Sequence, residues 1–229
     1  MTGTFGDRVM EFYESLERFR WATPDVALLS PIADNQRHAA MAEFCAKFYG
    51  DDERRIFWLG INPSRVRKTS TGVPYTDGFA LAEHCGIANN FNRSRELTSD
   101  FFYRFVEHYG GPSSFYKKHY AGAAYPLSIL KKDKYCNYYD RGLPDEVIEV
   151  VPDILKRQTE IGHRGVLVVI GSGKNASILC DLNDNLKIFS HILVVEHPRY
   201  IMQYKSATLN EFVLKFCDTA KKAEQLAGF

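Results

Sequence analysis

The sequence predicts an α/β fold, a three-layer αβα sandwich around a central, mostly parallel sheet of about four strands. Three observations carry this. First, IFWLGI and GVLVVIG are short runs that are apolar throughout, HILVVEH has the apolar centre ILVV, and HYAGAAYPL is a fourth run, of small and aromatic residues. Strands that read this way, without alternation, are covered on both faces, as parallel strands are. Second, segments with helical spacing separate the runs. Third, the chain has 229 residues, 45% of them hydrophobic and 25% charged, which suits one sizeable core, so residues 1–229 are read as a single domain.

The elements follow in order. Met10, Phe12, Tyr13, Leu16 and Phe19 share a helical face, as do Met41, Phe44 and Phe48 within residues 36–49. Between them, TPDVALLSPIADN is read as a Pro-marked connection. IFWLGI is the first strand. FALAEHCGI is a short helix, Leu97 to Tyr109 a stronger one with Thr98 or Ser99 as N-cap, and PSSFYKKH a third that begins on Pro. HYAGAAYPL is the second strand. LPDEVIEVVPDILKRQTEIG is helical with a break or restart at Pro152, GVLVVIG is the third strand, and SGKNASILCDLN a helix. HILVVEH is the fourth strand, and ATLNEFVLKFCDTAKKAEQL closes the chain as an amphipathic helix.

Composition excludes several classes. No run approaches the length of a membrane span, and the charged N-terminus lacks an apolar signal core. A soluble, cytoplasmic monomer is expected. The five cysteines are widely spaced without a C-x-x-C, which argues for reduced thiols over zinc or an iron–sulfur cluster. The net charge of +1 gives no global signature of nucleic-acid binding. Local clusters do exist: Arg65, Arg67 and Lys68 share one loop, Arg93 and Arg95 the next, and Lys117, Lys118, Lys131, Lys132 and Lys134 crowd a third region. Phosphate contact needs local rather than net charge.

In parallel sheets of this kind ligands bind beyond the carboxyl ends of the strands. Four unusual loops lie there: GINPSRVRKTSTGVPYTDG, YPLSILKK, IGSGKN and EHPRYIMQYK. IGSGKN is not a P-loop, because Val168 and Asn175 stand where that motif needs Gly and Ser or Thr; its glycines suit a tight strand-to-helix turn. His197 precedes Pro198, which keeps it out of helical geometry at a strand end. Asn62 precedes Pro63 in the same way. It can orient a water or a carbonyl but cannot act as a base.

Together these loops resemble the uracil-DNA glycosylase superfamily, and most closely a bacterial subgroup of its single-strand-selective monofunctional (SMUG) branch. GINP followed by TGVPY is similar to that branch's GMNP followed by TGVPF at the same distance, and EHPRY to its terminal His-Pro motif. YPL, NYYD (Asn137 to Asp140) and IGSGKNA are weaker matches, and the likeness spans roughly residues 54–205. The resemblance implies that Asn62 places the attacking water and His197 hydrogen-bonds the departing base. Tyr75 would stack on the flipped base, with Gly60, Ile61 and Pro63 around it. Ser64, Arg65, Arg67, Lys68, Ser172 and Lys174 would contact DNA. Arg199, Tyr200 or Met202 would fill the hole left in a duplex, although Ile201 and Met202 also suit the start of a core-packed helix. One departure stands out. The branch has a base-reading Asn three residues before the Pro of its Pro-Leu pair, and that position here is Ala123; Asn137 is a candidate replacement.

The resemblance therefore implies a monofunctional hydrolase without lyase action, needing neither metal nor cofactor. Its substrate would be single- or double-stranded DNA containing deaminated bases such as uracil, xanthine or hypoxanthine, and its role the first step of base excision repair. Two other readings stay open. One is a nucleic-acid- or nucleotide-binding protein of the same fold with a decayed site, which Ala123 would fit. The other is a small-molecule α/β enzyme that uses the GSGKN turn for phosphate.

Overall fold

The computed structural model describes residues 3–19, 23, 25–63 and 70–229. The strands are β1 (Val26–Leu29), β2 (Arg55–Gly60), β3 (His119–Ala123), β4 (Ser128–Lys131), β5 (Lys134–Cys136), β6 (His163–Ile170) and β7 (His191–Val195). The helices are α1 (Phe5–Ser15), α2 (Asn35–Phe48), α3 (Gly78–Glu83), α4 (Leu97–Tyr109), α5 (Pro112–Lys118), α6 (Asp145–Glu149), α7 (Val151–Thr159), α8 (Lys174–Leu186), α9 (Pro198–Tyr204) and α10 (Leu209–Ala227). The four strands expected from sequence form one parallel sheet in the order β3-β2-β6-β7.

Helices pack on both faces of the sheet, so β2, β3 and the second half of β6 are buried throughout, whereas the edge strand β7 is exposed or half-buried up to Val195. Phe57 and Trp58 are consecutive on β2 and both are fully buried. Trp58 packs against Phe105 of α4, Phe115 of α5 and Phe216 of α10. Phe57 meets Tyr120 and Phe189, and Tyr120 in turn meets Phe5 of α1. Side chains alternate across a strand, so these neighbours define the two outer layers.

A second sheet was not expected. β1, β4 and β5 form a three-stranded antiparallel sheet in the order β1-β4-β5. β1 lies inside the segment read as a connection, and β4–β5 inside the loop after β3. One smaller correction concerns helix α4. The N-cap of α4 is Glu96, and Ser99 instead accepts a hydrogen bond from the Asp77 N–H at 3.2 Å. The restart expected at Pro152 is present: α6 ends at Glu149 and α7 begins at Val151, with Pro152 in its first turn.

The crossovers from β2 to β3 and from β6 to β7 run in opposite directions along the sheet. The crevice between the ends of β2 and β6 is thus the topological switch point, where such sheets bind ligands. Asn62 follows one of these ends and the Gly171–Lys174 turn follows the other.

Candidate active site

Asn62 is held by the free edge of β5 and the turn beyond it. Its Nδ2 donates to the Cys136 carbonyl at 3.1 Å, and its Oδ1 accepts from the Tyr138 N–H at 3.2 Å. A weaker contact runs from Nδ2 to the Pro63 carbonyl at 3.5 Å. One backbone acceptor and one backbone donor fix which end of the amide is oxygen, so the side chain cannot be flipped without breaking both bonds. Oδ1 keeps a lone pair beyond the Tyr138 bond, and that lone pair can hold a water.

Tyr75 sits against the end of β2. Its backbone takes φ +59°, the left-handed region a tyrosine seldom enters. The loop closes around it through the Thr71 hydroxyl, which donates to the Thr76 carbonyl at 2.6 Å and accepts from the Val73 N–H at 3.1 Å. The Thr76 hydroxyl meets the Tyr103 hydroxyl at 2.9 Å, and Asp77 caps α3 by accepting from the Ala80 N–H at 2.8 Å. One face of the Tyr75 ring stacks on Phe102, with centroids 4.7 Å apart and planes 17° from parallel. Burial pushes its phenol well above the usual range, so it stays neutral.

Gly60 makes room for this phenol. A Cβ there would lie 1.9 Å from the Tyr75 Oη and 3.1 Å from Cζ. Gly60→Ala is therefore expected to lower stability by about 1–3 kcal/mol, the usual range for overpacking, and to displace the ring. Tyr75→Phe in the same chain removes the closest atom and should restore part of the loss. A melting temperature unchanged in Gly60→Ala alone would contradict this packing.

His197 is the N-cap of α9, with extended backbone ahead of Pro198. Its Nδ1 accepts from the Arg199 N–H at 3.2 Å. The ring proton is then on Nε2, which is left as a donor. Burial, and secondarily the Arg199 charge, lower its pKa from 6.5 to about 4, so at neutral pH it is an uncharged imidazole. His197 lines a cleft of about 480 Å³ together with Ile61, Tyr139, the Gly171–Asn175 turn, Glu196, Tyr200, Lys205 and Phe212. Asn62 and Tyr75 do not line this cleft; its wall at that end is Ile61.

The other expected residues fall as follows. Ser172 and Lys174 line the cleft. On α9, Arg199 and Tyr200 are exposed, while Ile201 is buried and Met202 packs partly against the core. Ala123 is the last residue of β3, in register with Gly60, so its methyl lies on the face of the sheet that carries Tyr75. Gly122 faces the other way, where a Cβ would meet Gln158 and Tyr120 at 2.9 Å, and it adds no room on the Tyr75 side. The Gly60 and Ile61 carbonyls each accept one bond, from the N–H groups of Ala124 and Tyr125. Asn137 is fastened, its N–H to Asp140 at 2.8 Å and its Oδ1 to the Tyr135 hydroxyl at 3.1 Å. Ser64, Arg65, Arg67 and Lys68 lie outside the described residues. Among the described residues, no group of three or more His, Cys, Asp or Glu side chains is placed to hold a metal ion, and no helix is long and apolar enough to cross a membrane.

Sequence reasoning missed Tyr135, Tyr138, Tyr139, Asn175, Glu196, Lys205 and Phe212. Tyr135 reaches back from β5, its hydroxyl 3.4 Å from the Asn62 carbonyl. NYYD was visible as a motif, but nothing in the sequence showed that it would close on Asn62.

The parallel sheet thus carries Asn62 and a neutral His197 just past its strand ends, with Tyr75 packed on the glycine that ends β2. The chain belongs to the uracil DNA glycosylase superfamily, whose family model matches residues 47–221. It is similar to Pedobacter heparinus SMUG2, whose crystal structure aligns with a TM-score of 0.91 at 31% identity, covering 98% of this chain and 100% of that one. No curated protein matches the chain.

Proposed function

We propose that this protein is a monofunctional DNA glycosylase that hydrolyses the N-glycosidic bond of deaminated bases and so initiates base excision repair. The observation that carries the reading is the fixed polarity of two groups: Asn62 with its Oδ1 open to a water, and His197 with a neutral Nε2–H donor. Family membership and the likeness to SMUG2 support it.

The target base must first leave its stack, at about a few kcal/mol, less when it is mispaired or unpaired. A base stacked on the Tyr75 ring, on the side away from Phe102, returns part of this, since base–aromatic stacking contributes about 1–3 kcal/mol. The C1′–N bond then breaks with its electron pair going to the base, which leaves as an anion. His197 Nε2–H donates to the oxygen where that charge gathers. The sugar becomes an oxocarbenium ion, electrophilic enough to take a weakly activated water. Asn62 Oδ1 accepts a hydrogen bond from this water, whose oxygen attacks C1′ and whose proton passes to solvent. No lysine attacks the sugar, so the strand stays intact at an abasic site.

Ala123 sets the breadth of the substrate range. A methyl group cannot pair with the imide edge of uracil, and each bidentate pair is worth about 1–3 kcal/mol of discrimination. Without that pair, pocket shape and stacking decide, and these admit other bases that leave readily as anions. We infer excision of uracil and of at least one deaminated purine, xanthine or hypoxanthine.

The test is purified protein on single-stranded and mispaired oligonucleotides carrying uracil, xanthine, hypoxanthine or normal bases. Breakage is expected only after alkali. Breakage without alkali would mean lyase action, and none after alkali would remove the glycosylase reading. Action on uracil alone, with a profile unchanged in Ala123→Asn, would show that Ala123 is not the reader position.

A further inference from the structure

Asn62 does not set its own orientation. Its amide pairs with Cys136 and Tyr138 across Asn137, much as a neighbouring strand would pair with that edge. Whatever fixes residues 136–138 therefore fixes the amide. Tyr138 is 1% exposed, its ring lying parallel to Tyr125 at 6.0 Å and 13° and edge-on to Tyr139. Its hydroxyl donates to Asn175 Oδ1 at 2.9 Å, and Asn175, also 1% exposed, donates through Nδ2 to the Ile170 carbonyl at 3.2 Å. Ile170 is the last residue of β6. A continuous path of hydrogen bonds thus runs from the end of a central strand, through the first turn of α8, to the side chain of Asn62.

We propose that Tyr138 and Asn175 are positioning residues for the water-holding amide of Asn62. The Asn175–Tyr138 bond holds the backbone N–H that fixes Asn62 Oδ1. This rests on the glycosylase reading of Asn62. Each member of the path has one partner of the right polarity. Asn175 has an acceptor for Tyr138 and a donor for Ile170, and Tyr138 offers its phenol to Asn175 and its N–H to Asn62. Hydrogen bonds in a buried network of this kind strengthen one another, and losing one bond leaves a buried acceptor bare.

The decisive variant is Tyr138→Phe, which keeps the ring on Tyr125 and removes only the hydroxyl. Single-turnover excision of uracil is expected to fall about tenfold, as for the loss of one buried hydrogen bond. Binding to an oligonucleotide with a non-hydrolysable uridine analogue should stay unchanged. In the Asn62→Ala background the same substitution should cost nothing further, because the two residues act as one unit. An undiminished rate in Tyr138→Phe, or an equal tenfold loss in the Asn62→Ala background, would overturn the proposal.

A second readout does not depend on activity. The Asn62 side-chain amide resonances, assigned by their disappearance in Asn62→Ala, should shift or broaden in Tyr138→Phe and in Asn175→Ala. If they do not move in a folded variant, the path does not hold the amide. A wild type that excises nothing while these resonances do shift would remove the glycosylase reading and leave the positioning intact.

Discussion

Asn62→Ala is expected to lower single-turnover excision of uracil by at least about 10²-fold, the scale of misplacing a reacting group by an ångström, with oligonucleotide binding nearly intact. Among the described residues the amide hydrogen-bonds Cys136, Tyr138 and, weakly, Pro63, so its loss is expected to remove the hold on the proposed water and little of the DNA surface. Rates measured with enzyme in excess separate chemistry from product release. A variant as fast as wild type would sink the assignment of Asn62.

His197→Ala is expected to slow excision by about 10²–10³, as for the loss of one donor to a developing oxyanion. Loss of binding with normal chemistry would make His197 a docking residue instead. The pH dependence tests the same group. Because burial lowers its pKa from 6.5 to about 4, the donor stays neutral from pH 8 down to about 5. The His197 contribution to the excision rate should be flat over that range and change only as pH falls through about 4. Stability follows from the same shift. Between pH 6.5 and about 4 the unfolded chain binds this proton and the folded chain does not, so the contribution is fully present above 6.5 and is lost as pH falls. An inflection in excision near 6.5 that vanishes in His197→Gln would contradict the buried, neutral ring.

The main sheet was legible because β2, β3 and the second half of β6 are buried on both faces, which the residue type alone reports, while the half-buried edge strand β7 still shows as the apolar run ILVV. The small sheet was not. β1 is four residues long and lies among turn-forming residues, so its VALL looks like part of a connection. The β4–β5 turn is harder still. Lys132 and Asp133 both take left-handed backbone, φ +47° and +60°, where a hairpin would ordinarily advertise Asn-Gly. Asn62, Tyr75 and His197 could be nominated as candidates because each follows a strand or sits in a recognisable motif beside proline. The bracing could not, since Tyr138 meets Asn62 across 76 residues and Asn175 across 37. Such contacts are set by how the turn after β5 packs against α8, and no local pattern encodes that.

The edge of β5 has a consequence for handling the protein. A sheet edge with open N–H and C=O groups is a template for pairing with another chain, and natural proteins blunt such edges with short strands and lysines. β5 is three residues long and begins on Lys134, with Lys132 in the turn before it. At its end the Asn62 amide covers the Cys136 carbonyl and the Tyr138 N–H. The Asn62 side chain is thus also a cover on the end of that edge. An alanine at position 62, the natural choice for trapping an uncleaved DNA complex, would expose that margin. Such preparations are best handled dilute and with DNA already bound.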